Sequence, residues 1–206
     1  MAIEKGNGLN RRVWVHTAFL LAIILLTSFA YSNVLNGDLQ FDDEQYLFEN
    51  QYLLSPYAYK GMTVREFFTS GTRPVASFTF SLNYYFFGKE TFSYHVTNVI
   101  IHILNGMLVY LFIYITLVQN AVLPTTPAPP YQGGDKGKVR DDRQWIAFIA
   151  ALLFSIHPIQ TESVSYIIQR YESLSTLFYL ASLIIFMLAV ESRFKIAWLT
   201  LFVIGF

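Results

Sequence analysis

Val13-Trp-Val-His-Thr-Ala-Phe-Leu-Leu-Ala-Ile-Ile-Leu-Leu-Thr-Ser-Phe-Ala30 is an apolar run without a formal charge. A helix that crosses a bilayer needs about 20 mostly apolar residues. This run supplies most of that before Tyr31 and Asn33, and Arg11 and Arg12 stand at its start. A signal peptide shares the basic start and the apolar stretch, but it ends in a small-residue cleavage site. None follows here, and several more apolar runs do, so the run reads as a retained span.

Composition points the same way. Hydrophobic residues make up 54% of the 206 and charged residues 14%, against about 25% charged in soluble domains. Aromatics reach 17% and gather at the ends of the apolar runs, where a membrane interface holds Tyr and Trp. The formal net charge is zero and cysteine is absent. The first argues against nucleic acid as a partner, and the second excludes disulfides and thiolate metal sites.

The expected fold is therefore an all-α integral membrane bundle with spans near 13–32, 94–118, 145–157, 172–190 and 196–206. The last run stops after two or three turns, so the chain reads as truncated in its fifth span. Lys and Arg settle the expected orientation, because short cytoplasmic loops carry the excess. With the N-terminus inside, the inner segments hold Lys5, Arg11, Arg12, Lys136, Lys138, Arg140, Arg143, Arg193 and Lys195. The outer ones hold Lys60, Arg65, Arg73, Lys89 and Arg170. The long loop 33–93 and the turn 158–171 then share the outer face, and 119–144 is a cytoplasmic linker rich in proline, glycine and charge. Within the long loop, Gly61 to Phe68 and Arg73 to Phe87 read as short interfacial helices, with Pro74 suited to the first helical position.

Three groups of residues carry chemistry. Phe41-Asp42-Asp43-Glu44 places three carboxylates in a row. Such neighbours repel when ionised, and one can serve as a base or bind a divalent cation; a solvated acidic turn after Asn36-Gly37-Asp38 is the plain alternative. A helix over 159–170 puts Glu162, Tyr166 and Gln169 on one face with Arg170 at its edge, although Glu162 is also ordinary first-turn acid. His157 precedes it. His95, Asn98, His102 and Asn105 form a polar stripe on the second span, which lipid cannot satisfy, so it serves as helix glue or lines a substrate groove.

Tyr31-Ser-Asn-Val-Leu-Asn-Gly-Asp-Leu-Gln-Phe-Asp-Asp-Glu, Arg73-Pro-Val with Leu82-Asn-Tyr, Tyr94-His-Val-Thr-Asn with His102, Leu152-Leu-Phe-Ser-Ile-His-Pro-Ile-Gln-Thr-Glu-Ser-Val and Gln169-Arg170 lie in order along nearly the whole chain. Together they resemble the amino-terminal membrane region of the transmembrane-and-tetratricopeptide-repeat (TMTC-like) O-mannosyltransferases and their bacterial relatives, glycosyltransferases of the C-type (GT-C) fold. The resemblance implies transfer of a sugar, a hexose such as mannose, from a polyprenyl-phosphate carrier to an acceptor hydroxyl on a protein or glycan outside the cytoplasm. It implies Asp42 as catalytic base, Asp43 as helper or cation ligand, and Glu162 as the acid of the second outer loop. Arg73 and Arg170 fall to the lipid phosphate, and His102 and His157 join them as substrate-binding candidates. A divalent cation, Mn or Mg, on Asp43 and Glu162 is part of the same expectation. Gln160 stands where a His is common in the family, and Gln169 where a Gly usually precedes the Arg. A bacterial inner membrane is the expected location, or the endoplasmic reticulum membrane for a eukaryotic chain. A catalytically silent accessory subunit and a transporter are the competing classes.

Overall fold

A computed structural model of the chain describes residues 2–40, 43–48, 60–69, 73–119 and 136–191. Every regular element among them is helical: α1 (Ala2–Ala30), α2 (Asp43–Phe48), α3 (Val64–Thr69), α4 (Pro74–Phe87), α5 (Thr91–Gln119), α6 (Lys136–Ile156), α7 (Thr161–Ser165) and α8 (Arg170–Glu191). Single 3-10 turns cover Ser32–Asn36, Pro158–Gln160 and Ile167–Gln169. Three stretches are long and apolar enough to cross a membrane: Val13–Ala30, Thr91–Gln119 and Ile167–Val190. A fourth arises where Asp142–Ile156 and Pro158–Ser165 count as one broken span. The expected fifth span, 196–206, lies outside the described residues.

Two expectations change. The tail of the linker is helical, because α6 already begins at Lys136. The last proline of that segment is Pro130, and the Lys- and Arg-rich residues after it are compatible with a helix. The continuous helix over 159–170 is not formed: α7 stops at Ser165, and Tyr166 is extended at φ −80° and ψ 123°. The expected shared face of Glu162, Tyr166 and Gln169 is lost with it.

The chain divides into two compact units. The first takes most of α1, the later part of α5, α6 and the later part of α8. Phe19 and Ile23 of α1 pack there with Tyr110 of α5 and Ala147 and Ala151 of α6. Phe19 stacks on Phe148, centroids 4.5 Å apart, and meets Trp145 edge-on at 4.8 Å. His16 bonds the Tyr110 hydroxyl through Nδ1, and its Nε2 lies 3.1 Å from Gln144 Nε2. Ala147, Ala151 and Ser155 recur every four residues on α6, the small-residue stripe that lets membrane helices approach closely. Gly106 of α5 belongs to that contact, since a Cβ there would overlap Ser155 Oγ and touch Ile23 Cγ2.

The second unit comprises Ser28–His102 and Pro158–Thr176. Leu47, Phe80, Tyr94 and Ile167 form its apolar core. Pro74 opens α4 as expected, and Ala76, Phe80, Ser81 and Asn83 are its buried face. A reciprocal capping box opens α3: Glu66 N donates to Thr63 Oγ1, while Thr63 N donates to Glu66 Oε2 at 2.7 Å. The Thr63 N–H, and the Thr63 hydroxyl 2.8 Å from the same Oε2, both donate to the Glu66 carboxyl and lower its pKa from the usual value.

Gly106→Val should lower the thermal unfolding midpoint in detergent strongly, at an overpacking cost of about 1–3 kcal/mol or more. Gly106→Ala should cost less, and adding Ser155→Ala to it should recover most of that loss, because the overlapping hydroxyl is gone.

Candidate functional site

The second unit is organised by a break in the backbone. Between α7 and α8 the helical ladder is interrupted at Tyr166, which frees backbone donors and acceptors in a buried place. Asn98, 1% exposed, answers the acceptors: its Nδ2 donates to Tyr166 O at 3.0 Å, with Val164 O and Ile167 O at 3.5 and 3.4 Å. Asp43 answers the donors. Its Oδ2 accepts from Ile167 N at 3.2 Å, its Oδ1 from Ile168 N at 2.9 Å, and Oδ2 also takes Gln40 N at 3.2 Å. The carboxylate is fully buried. It therefore caps, from another segment of the chain, the first turn that leads into α8, where orphan N–H groups and the helix dipole favour an anion.

The acidic run is thus not one cluster. Asp43 is buried while Glu44 is exposed. Phe41 and Asp42 lie outside the described residues. Among the described residues, no group of three or more His, Asp or Glu side chains converges as a metal site. The arrangement around Asp43 does not fit the expected divalent cation either: three backbone N–H groups already occupy its two oxygens, and a cation would have to compete with them. Glu162, the other expected ligand, sits exposed in the first turn of α7.

Arg170 opens α8 and is fully buried. Its Nε donates to Asn98 Oδ1 at 2.9 Å, Nη1 to Asn83 Oδ1 at 2.7 Å and to Thr79 Oγ1 at 3.5 Å, and Nη2 to Tyr94 O at 3.1 Å. The guanidinium carbon stands 4.3 Å from the Phe80 ring centroid and 5.7 Å from that of Tyr94. Buried charge is tolerated when its donors are met this completely. Arg170 ties α4, α5 and α8 together, and its expected grip on a phosphate is not what this geometry presents. Asn98 links the two systems, giving its amide to the break and its carbonyl to Arg170.

Arg73, the other expected phosphate ligand, is differently placed. It precedes Pro74 at the start of α4 with its side chain 53% exposed, and Nη2 pairs with Glu172 Oε1 at 3.0 Å. Its guanidinium lies 5.1 Å from the Tyr171 ring centroid.

The polar stripe on α5 is buried throughout: His95, Asn98, His102 and Asn105 are each 1–2% exposed. His95 Nε2 bonds Gly37 O at 3.2 Å, and His102 meets the Tyr31 ring edge-on at 5.3 Å. The glue reading describes Asn98 and His95, and His102 is packed in rather than open to a substrate. His157 is exposed and belongs to the first unit. Sequence reasoning missed Thr79 and Asn83 as partners of Arg170; their four-residue spacing on α4 was the available signal.

Relatives are found among proteins of known name. The chain is 32% identical over 175 residues to protein O-mannosyl-transferase F38B6.6 of Caenorhabditis elegans, covering 81% of this chain and 22% of that protein. It is 31% identical over 172 residues to protein O-mannosyl-transferase tmtc2 of Xenopus laevis, covering 79% and 18%. Human protein O-mannosyl-transferase TMTC4 matches at 27% over 157 residues, covering 71% and 20%. The chain spans about a fifth of the length of these relatives. No protein-family model and no solved structure matches it.

Arg170→Gln should destabilise the protein by about 3–5 kcal/mol, since it strands the carbonyls of Asn83, Asn98 and Tyr94. Arg170→Lys should recover little, because an ammonium cannot reproduce the fork. Asp43→Ala should act alike, by leaving Ile167 and Ile168 N–H unpaired. Loss of the folded fraction on size exclusion and a lowered unfolding midpoint check both.

Proposed function

We propose, from the premise that this is a TMTC-like amino-terminal membrane region, that the chain is the catalytic-loop part of a membrane glycosyltransferase. On this reading a hexose, mannose by the names of the relatives, passes from a polyprenyl-phosphate carrier to a hydroxyl of a protein acceptor. Asp42 takes the proton of the acceptor hydroxyl. The freed oxygen attacks the anomeric carbon, the bond from that carbon to the phosphate oxygen breaks, and the electron pair leaves with the polyprenyl phosphate. Phosphate is already a good leaving group, so the enzyme needs chiefly a placed base and positive charge at the departing oxygens. Arg73 supplies the charge through a guanidinium fork that suits a phosphate. Glu162, exposed on α7, is the second carboxylate offered to the acceptor side.

The observation that carries the reading is the clamp on Asp43. Asp42 is one peptide bond away from a residue whose carboxylate is locked to the start of α8. A base must hold its place to within a fraction of an ångström to act, and Asp43, next to Asp42 in the sequence, is itself held by three hydrogen bonds. Asp43 and Arg170 thereby serve as positioning residues, and Arg73 and Glu162 remain reachable from solvent. The excess of Lys and Arg on the segments that include Arg11, Arg12, Arg140 and Arg143 supports a cytoplasmic N-terminus, which puts 33–93 and the transfer on the outer face.

In the full-length protein supplied with polyprenyl-phosphate mannose, Asp42→Asn should lower turnover by about 10²–10⁴-fold and leave donor binding intact. Equal turnover would remove Asp42 from the role of base. These 206 residues carry no cysteine, which allows a clean topology measurement on this chain: Glu44→Cys should react with a membrane-impermeant maleimide added to the outer side, and protection there would reverse the orientation.

A further inference from the structure

Arg73 and Glu172 are both more than half exposed, yet they meet at 3.0 Å. The cation is not held by the carboxylate alone. Its guanidinium lies over the Tyr171 ring, 5.1 Å from the centroid. Tyr171 is fixed in turn by its hydroxyl, 3.4 Å from Ser77 Oγ, and by an edge contact with Phe80 at 5.3 Å. Aromatic support of this kind persists whichever anion sits on the fork. The arrangement is a supported guanidinium whose anion can be exchanged without dismantling the site. Exposed pairs are weak, so exchange is easy, whereas the buried donors of Arg170 have no such freedom.

We propose that Glu172 is the resident counter-anion of Arg73: the carboxylate occupies the fork when the site is empty, yields it to the phosphate of the carrier lipid, and reclaims it when the spent carrier leaves. This rests on the reading of Arg73 as the phosphate ligand. The charges of the two lipids give the exchange a direction. The sugar-bearing donor is a phosphodiester with one negative charge, whereas the product is a monoester carrying about 1.5–2 negative charges at neutral pH. A bare Arg73 would hold the product more tightly than the donor. A carboxylate beside it repels the extra charge and competes for the same N–H groups, so Glu172 opposes product retention more than donor binding. It is a specificity-determining residue that distinguishes diester from monoester.

The test is titration of farnesyl phosphate, a short prenyl monoester, into the full-length protein in lipid nanodiscs by calorimetry, for wild type, Glu172→Gln, Arg73→Gln and the double variant. Both side chains are exposed, and an unfolding scan verifies that each variant is folded. Glu172→Gln should bind roughly 2–5-fold more tightly, the range of an exposed ion pair. The gain should vanish in the double variant, as a coupling through Arg73 requires. If Arg73→Gln weakens binding while Glu172→Gln leaves it unchanged or weaker, the counter-anion role is overturned and Arg73 stands as phosphate ligand. Binding indifferent to Arg73→Gln overturns the phosphate reading, and the inference falls with it.

Discussion

The second unit depends on one constraint: a helix broken at Tyr166 inside a buried, apolar environment must have every freed backbone group answered by a side chain. An unpaired backbone N–H or C=O in a buried place is costly, so non-helical backbone there is tolerated only where protein or water partners it. Asn98 and Asp43 are the answers here, one facing the carbonyls and one the N–H groups. Each comes from a segment distant in the chain, α5 and α2. The break thus dictates that these segments come together, with Gln40 drawn in through its N–H to Asp43. A straight helix over 159–170 would have needed neither residue.

Arg170 follows from the same break. Where the helix restarts, its first side chain is directed into the space between α4 and α5, and only a group with several fixed donors can join the carbonyls gathered there. The arrangement demands that donors and acceptors match in number and direction, because an unpaired buried polar group costs more than a made bond contributes. Specificity of this sort does not by itself imply great stability, since buried charge carries a desolvation cost close to what it gains. What it does imply is a single geometry for α4 relative to the start of α8, and so for Arg73 relative to Glu172 within the same unit.

Much of the fold was legible in the sequence. Apolar length alone located α1, α5 and α8, and the Pro74 rule located the start of α4. The polar stripe His95, Asn98, His102 and Asn105 was recognisable as buried because its spacing lies on one helical face inside an apolar run. The site was less legible, for a physical reason. Asp43 differs from Glu44, and Arg170 from Arg73, in nothing that composition or spacing records. Their roles diverge because the break at Tyr166 captures one member of each pair, and a break in a short amphipathic stretch with no Gly, and no Pro after Pro158, leaves little trace in the chain. Thr79 and Asn83 were hidden likewise, since two small polar residues on one helix face are equally at home in water.

The division between captured and exposed charges bears on what each can do. A ligand-binding group must trade its partner for the ligand at low cost in every cycle, and a positioning group must never do so. Arg170, with four of its N–H groups committed to buried acceptors, would leave several polar groups stranded if it turned to a phosphate. Arg73 would give up only one exposed carboxylate and would keep its aromatic support. The same logic separates Asp43, whose two oxygens are already taken by three backbone N–H groups, from the exposed Glu44. Residues of like charge in one unit are therefore not redundant: Asp43 and Arg170 are buried and fix geometry while Glu44 and Arg73 face solvent, and a substitution at any of them will be read correctly only if stability and turnover are measured together.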